Sequence, residues 1–127
     1  MKYLKLEEVL VIHARIIDAT GGKHGVHDIH LLLSITERPK ATFDGKQLYP
    51  KVFDKAAAYL HSTAMNHAFS DGNKRTAIAI AARFLYINDY ILSTSNKILE
   101  EFVIRVVVKK LKVEVIAKWI EKHSIEV

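Results

Sequence analysis

The chain has 127 residues, half of them hydrophobic, and a formal net charge of +5 from 19 lysines and arginines against 14 aspartates and glutamates. It has no cysteine, which excludes disulfides and thiolate metal sites, and no apolar run near the roughly 18 residues of a membrane span. Charged residues interrupt the N-terminal MKYLKLEEVLVIHAR every few positions, unlike a signal peptide, so these properties predict one cytoplasmic domain over residues 1–127 with no membrane partner.

The first half of the chain has the pattern of two helices and a turn. Apolar residues recur at helical spacing from Leu6 to Ile17, and the glycines at 21 and 22 end this helix. Asp28 is a good N-cap for a short second helix over IHLLLSIT. Asp44 and Gly45, between ATF and KQLY, predict a short hairpin near residues 41–49. This hairpin is either a plain surface turn or a flap whose strand edge receives the backbone of a target.

The second half has the pattern of four helices. Pro50 predicts the start of a third helix over KVFDKAAAYLHSTAMN, because proline suits a first turn. A fourth helix is expected from about Lys74 to Asn88, a fifth over SNKILEEFVIRVVVKKL and a sixth over VEVIAKWIEKH, with Trp119 in the core. The β-branched run from Val103 to Val108 also allows a strand on propensity alone. Six short helices and one possible hairpin predict an all-α bundle.

The stretch NHAFSDGNKR, residues 66–75, connects two alanine-rich helices and is the candidate active site. The fourth helix must begin against the core, so its unpaired N–H groups and its dipole predict an anion site. Gly72 lets the backbone approach a ligand closely. Lys74 adds a point charge and Arg75 a bidentate fork, a combination that suits polyphosphate.

Three other side chains of this stretch complete the hypothesis. Asp71 can hold a divalent cation that bridges phosphate oxygens. His67 can take a proton from an attacking hydroxyl, and Phe69 is expected to plug the loop into the core. The alternative is a polar connector with a capping asparagine and a core-facing histidine. The coincidence of a base, a metal ligand, a glycine and paired cations at one helix start favours an active site.

The stretch HAFSDGNKR resembles the signature of the Fic/Doc proteins, whose pattern is His-x-Phe-x-Asp/Glu-Gly-Asn-Gly-Arg-x-x-Arg. The resemblance to the death-on-curing (Doc) branch covers nearly the whole chain, including EEVLVIHARII, GGKHGVHD, ERP and VIAKWIEK. It implies a compact six-helix bundle and an enzyme that uses ATP and Mg²⁺. By position, it implies a base at His67, a core anchor at Phe69 and a catalytic, Mg²⁺-holding acid at Asp71. It also implies phosphate-binding residues at Gly72, Asn73 and Arg75, with a catalytic role for Arg75 as well.

Two positions depart from the general pattern, because Lys74 replaces a glycine and Ile78 replaces the second arginine. Typical Fic enzymes use these positions to hold ATP for AMP transfer. The Doc branch, with a lysine, resembles an enzyme that binds the nucleotide reversed and transfers the γ-phosphate to a threonine hydroxyl of elongation factor Tu, which stops translation. The resemblance therefore implies a toxin kinase. An adenylyltransferase using the same loop, and a non-catalytic module that binds an antitoxin or tunes repression of its operon, are the alternatives.

The regulation of such a toxin can also be predicted. No glutamate of the chain is followed by Gly or Asn, as the inhibitory motif of many Fic enzymes requires, so we expect a separate antitoxin to control the chain. The basic surplus and exposed apolar surface of a small helical domain predict an acidic antitoxin segment that docks as an amphipathic helix. Direct nucleic-acid contact is not expected except through the antitoxin.

The remaining histidines and a basic cluster allow further interpretations. The spacing of His24, His27 and His30 permits zinc or nickel, but glycines interrupt any helix there, so solvated or target-contacting histidines are the alternative. His13 and His61 are expected to be ordinary packing or surface residues. The lysines at 109, 110 and 112 form either a solvated face or a contact for nucleic acid or an acidic protein.

Overall fold

The computed structural model describes all 127 residues as a bundle of six α-helices with two small antiparallel strand pairs. The helices are α1 (Leu6–Thr20), α2 (Ile29–Glu37), α3 (Val52–Asn66), α4 (Asn73–Ile87), α5 (Asn96–Lys109) and α6 (Val113–Lys122). The strands are β1 (Thr42–Phe43), β2 (Lys46–Gln47), β3 (Tyr90–Leu92) and β4 (Ser124–Glu126), and a 3-10 turn covers Arg38–Lys40. The predicted all-α bundle is confirmed. None of the helices has the length and apolar character needed to cross a membrane.

Helix α3 lies at the centre of the bundle and packs against α2, α4 and α6. The alanines at 56–58 on α3 and at 77 and 81 on α4 are fully buried. Side chains this small let two helix backbones approach closely, since the interaxial distance depends on the residues at the contact. A single cluster of 23 buried hydrophobic residues includes members from all six helices. The connection between α3 and α4 is therefore held at both ends by the core.

Local sequence signals set most of the helix ends. Helix α1 ends before Gly21, which has a φ of 86°. The carboxylate of Asp28 accepts hydrogen bonds from the first amides of α2 at 2.9 and 3.1 Å. The prediction that Pro50 starts α3 was wrong by two residues. Lys51 is the extended N-cap, and its N–H donates to the carboxylate of Asp54 at 3.0 Å, so helical geometry begins only at Val52 and Pro50 lies outside it.

The C-terminal third shows where packing overrides strand propensity. The run from Val103 to Val108 lies inside α5, so the strand alternative is wrong. Burial of Phe102, Val103 and Val106 follows helical spacing and gives this helix its apolar face. Trp119 is half-buried at the edge of the core, and its ring stacks on Phe102 at a centroid distance of 3.9 Å. The pairing of β3 with β4, which ties the chain end to the end of α4, was not predicted from the sequence.

The predicted hairpin near residues 41–49 is present. Its two strands are joined by a turn at Asp44 and Gly45, whose φ angles are 53° and 76°. Aspartate and glycine are among the residues that tolerate this left-handed geometry. Phe43, next to the turn, is 75% exposed. The hairpin therefore projects from the bundle with an apolar side chain at its tip.

Polar contacts to α3 fix the base of this hairpin. Lys55 is only 1% exposed, and its ammonium donates to the side-chain oxygen of Gln47 and to two main-chain carbonyls at 2.6 to 3.3 Å. Arg38 donates to the Tyr49 hydroxyl at 3.1 Å and to Nδ1 of His61 at 2.7 Å. Buried polar groups need such partners to offset their lost hydration. His61, expected to be an ordinary packing or surface residue, is thus part of the hairpin's anchor.

Candidate active site

The α3–α4 loop, residues 67–72, makes a tight connection that returns to the core. His67 caps α3 in the left-handed region, at φ 51° and ψ 49°, and turns the chain out of the helix. Ala68 and Phe69 then enter the core with exposures of 0% and 1%. Asn73 closes the loop, because its side chain accepts a hydrogen bond from the Phe69 N–H and donates one to the Phe69 carbonyl. The loop is therefore fixed by the burial of Ala68 and Phe69 and by the side chain of Asn73, the first residue of α4.

A second segment, residues 21–28, runs antiparallel to this loop, and we call it the strap. The Ser70 N–H donates to the carbonyl of Gly25, and the carbonyl of Ala68 accepts from the N–H groups of residues 27 and 28. The Lys23 N–H donates to Oδ2 of Asp71 at 2.7 Å. The strap thus holds both the backbone of the loop and one carboxylate oxygen of its acidic residue.

Helix α1 supports the loop from beneath. The ring of His13 stacks on Phe69 with a centroid distance of 3.8 Å and an interplanar angle of 7°. The His13 Nε2 lies 2.8 Å from the main-chain carbonyl oxygen of Asp71. A carbonyl only accepts hydrogen bonds, so Nε2 carries the proton and donates it. His13 is a packing residue, as expected from the sequence, but it is also the side chain that binds the loop backbone.

The start of α4 presents donors and positive charge that the chain itself does not use. The main-chain N–H groups of the four residues from Gly72 to Arg75 make no hydrogen bond within the protein. Gly72 is the N-cap, with a φ of 76°. Lys74 and Arg75 are exposed and form no ion pair, since the sole salt bridge joins His24 to Asp18. Free amides, the positive end of the helix dipole and two unpaired cations are the features that the predicted anion site requires.

A cavity of about 450 Å³ lies over this helix start. Its volume falls in the range of roughly 300–1,000 Å³ typical of small-molecule sites. It is lined by His67, Ser70, Asp71, Gly72, Asn73, Lys74, Arg75, Ile78, Glu100, Val103 and Ile104. The structure thus brings every polar residue of the predicted site to one cavity. Phe69 does not line it, because its ring is buried in the core.

Some lining residues were missed at the sequence level. Glu100, Val103 and Ile104 come from α5, which is distant in sequence and reaches the cavity only because α5 packs on α4. No local signal marks them. Their neighbours along α5 have the same amphipathic pattern.

Asn73 differs in detail from the expectation. Both polar atoms of its side chain are engaged by the main chain of Phe69. Its own main-chain N–H is free. Binding of phosphate by Asn73 stays a prediction. In this geometry Asn73 would bind phosphate through its main-chain N–H and not through its side chain.

His24 and His27 of the strap and His30 of α2 do not converge on a metal site. His24 hydrogen-bonds Asp18 at 2.8 Å, and all three imidazoles are exposed. No group of three or more histidines or acidic residues with metal-binding geometry occurs in the chain. No set of metal ligands therefore supports the zinc or nickel hypothesis. The contacts that the structure shows for the strap are its hydrogen bonds to the α3–α4 loop.

Comparisons with known proteins agree with this arrangement. The family model described as "Fic/DOC family" matches residues 3–85, which include α1, the strap and the whole α3–α4 loop. The chain is 49% identical over 87 residues to Toxin Doc of Mycolicibacterium smegmatis, in a match that covers 68% of this chain and 65% of that protein. It is 34% identical over 88 residues to Protein kinase doc of Escherichia phage P1, covering 69% of each chain. The match thus spans about two thirds of the length of these curated relatives, and on this basis the chain belongs to the Fic/DOC family and to its Doc branch.

Proposed function

We propose that the chain transfers the γ-phosphoryl group of ATP to a hydroxyl side chain of a protein. The observation that carries this proposal is the cavity at the start of α4, which joins a histidine, a carboxylate, two unpaired cations and four free main-chain N–H groups. Phosphoryl transfer requires positioning and charge stabilisation more than covalent chemistry. The cavity offers donors for that purpose and a base for the attacking group.

The residues present fit a nucleotide with a bound Mg²⁺ ion. Oδ2 of Asp71 is held by the Lys23 N–H, whereas Oδ1 has no hydrogen-bond partner. A fixed carboxylate with one free oxygen is a ligand of the kind that Mg²⁺ takes beside phosphate oxygens. When bound, the ion would neutralise part of the phosphate charge. Arg75 supplies two parallel donors for phosphate oxygens, and Lys74 supplies a point charge.

His67 is suited to act as the base. Its side chain is exposed, lines the cavity and makes no hydrogen bond within the protein. It is therefore free to accept a proton from an incoming hydroxyl group. A positioned general base accelerates such a step by a factor of about 10² to 10⁴.

The choice of the γ-phosphate over AMP transfer rests on two residues of α4. Ile78 lies one helical turn after Lys74, and both line the cavity. An isoleucine offers no donor to a phosphate, whereas the general Fic pattern has an arginine there. Lys74 adds charge where that pattern has a glycine. The phage relative is named a protein kinase, and this name supports transfer of the γ-phosphate.

The cellular role follows as part of the proposal. Because one relative is named a toxin, we infer that this chain is the toxin of a toxin–antitoxin pair and that it arrests translation by modifying a factor such as elongation factor Tu. The net charge of +5 suits an acidic antitoxin segment. Exposed apolar side chains such as Ile29 and Leu33 on α2 offer contacts to an amphipathic helix.

The experiment is label transfer with purified components. The chain is incubated with elongation factor Tu, Mg²⁺ and ATP labelled either at the γ- or at the α-phosphate, with the His67→Asn variant as the control. We expect γ-label on the factor, no α-label, and loss of transfer in the control. Transfer of α-label alone would show that the chain is an adenylyltransferase and not a kinase. Absence of both labels from the factor and from all proteins of a lysate would overturn the catalytic proposal.

A further inference from the structure

We propose that His13 of α1 is a positioning residue that locks the peptide between Asp71 and Gly72, so that the Gly72 N–H is presented to an anion. His13 is 4% exposed and does not line the cavity, so it does not contact a ligand there. It acts through the loop backbone. The identity of the anion as a nucleotide phosphate rests on the proposed function, whereas the lock itself does not.

The geometry of the peptide unit carries the inference. A peptide is planar and trans, so its carbonyl and its N–H point in opposite directions. The Asp71 carbonyl points to α1, where the His13 Nε2–H donates to it at 2.8 Å. The Gly72 N–H of the same peptide must then point away from α1, and it makes no hydrogen bond within the protein. The bond from His13 therefore determines which side of this peptide faces the cavity.

Without such a bond the peptide would be free to rotate. Gly72 has a φ of 76°, and glycine populates both signs of φ with similar ease, so rotation of the preceding peptide meets little steric resistance. A rotated peptide would direct the Asp71 carbonyl oxygen, instead of an N–H, to the anion site. An oxygen there would repel a phosphate. A donor fixed at Asp71 is thus needed for the free amides of α4 to act as an anion site.

The stacking of His13 on Phe69 gives the lock its rigidity. The two rings are nearly parallel, at an interplanar angle of 7°, and Phe69 is anchored in the core. One turn further along α1, Ile17 packs against Gly72 and limits movement of the loop towards the helix. The imidazole therefore combines an aromatic face for Phe69 with a donor for Asp71, which no aliphatic residue of this helix can supply.

Two substitutions separate the donor from the ring. His13→Gln retains an N–H donor at the position of Nε2 but removes the aromatic face, and His13→Phe retains the stacked ring but removes the donor. We expect nucleotide affinity, measured by titration with Mg²⁺–ADP, to fall at least tenfold in His13→Phe and to stay closer to the unaltered chain in His13→Gln. A residue that only packs would give the reverse order, so equal losses or a larger loss in His13→Gln would overturn the proposal.

A measurement without nucleotide keeps this test independent of the proposed function. The nuclear Overhauser effect between Hα of Asp71 and the amide proton of Gly72 reports the orientation of their peptide. We expect it to change in His13→Phe and to be retained in His13→Gln. In the unaltered chain, ¹⁵N spectra should show the proton of His13 on Nε2. A proton on Nδ1 alone, or an unchanged Overhauser effect in His13→Phe, would overturn the lock even if no nucleotide binds, and failure of nucleotide binding with an intact lock would overturn only the proposed function.

Discussion

Ile17 lies so close to Gly72 that a Cβ atom built on the glycine would stand 2.9 Å from Cδ1 of the isoleucine. The glycine also has a φ of 76°, in the region that costs other residues roughly 1–2 kcal/mol. Two separate constraints therefore require glycine at the N-cap of α4. Since this residue carries the first free amide of the proposed anion site, the packing of α1 and the proposed binding of phosphate meet at one position.

We expect Gly72→Ala to lower both stability and nucleotide affinity. Gly45→Ala is the matched control, because Gly45 has the same φ of 76° but nothing within 4 Å of its Cβ position. Both variants carry the backbone strain, and only Gly72→Ala adds the contact with Ile17. Denaturant titration should therefore show a larger loss for Gly72→Ala. Equal losses of stability in the two variants would show that the side chain of Ile17 moves aside without a measurable loss of free energy.

His67→Asn should slow catalysis strongly while leaving the fold intact. Asparagine tolerates the left-handed geometry of this position, where φ is 51°, and the imidazole makes no hydrogen bond that the fold could lose. We expect the transfer rate to fall by about 10² to 10⁴, with melting temperature and nucleotide affinity unchanged. A fall in melting temperature instead would show that His67 is a packing residue.

Arg75→Ala should weaken nucleotide binding. A hydrogen bond to a charged group contributes about 1.5–3 kcal/mol, so affinity should fall by roughly 10- to 150-fold. Arg83→Ala is the control, because Arg83 is exposed on the same helix and lies over the ring of Tyr86 instead of the cavity. Titration with Mg²⁺–ADP compares the two. Unchanged nucleotide affinity in Arg75→Ala would show that Arg75 does not bind the nucleotide.

Most of the fold and the polar part of the site could be predicted because their signals are local. Asp28 caps the helix that directly follows it, and the polar site residues lie in one continuous stretch of the sequence from His67 to Arg75. The contribution of His13 could not be predicted, because its bond to Asp71 joins residues 58 positions apart. The helical spacing of His13 between Val9 and Ile17 predicts a packing residue. That spacing is the same whether or not a main-chain carbonyl, here that of Asp71, lies within reach of the imidazole. The wall that α5 adds to the cavity was missed for the same reason.

Lys55→Met should destabilise the fold and loosen the hairpin. The substitution leaves the carbonyl oxygens of Pro39 and Tyr49 and the side chain of Gln47 without their shared donor. A buried group left unpaired costs about 1–3 kcal/mol, so we expect a loss of about 3 kcal/mol in the free energy of unfolding. Limited proteolysis should also cleave faster within residues 41–49. Lys118→Met, at an exposed site on α6, is the control and should change neither quantity.

The stability of the chain should depend on the protonation of His61. Burial lowers the pKa of this histidine below its ordinary value of 6.5, and the adjacent Arg38 guanidinium lowers the pKa further. Arg38 donates to Nδ1 of His61 at 2.7 Å, a bond that the protonated ring cannot accept. Between the lowered pKa and 6.5, the unfolded chain binds more protons than the folded chain. The free energy of unfolding therefore falls as the pH drops through this window, and the effect levels off below the folded-state pKa.

The His61→Gln variant tests this pH dependence, because glutamine has an oxygen that can accept from Arg38 but does not titrate. We expect the drop in melting temperature between about pH 7 and about pH 5 to be smaller in His61→Gln than in the unaltered chain. His30→Gln is the control, because the imidazole of His30 is exposed and makes no hydrogen bond. Contributions from carboxylates are common to all three proteins and cancel in the comparison. Equal drops in all three would show that His61 does not link the hairpin anchor to pH.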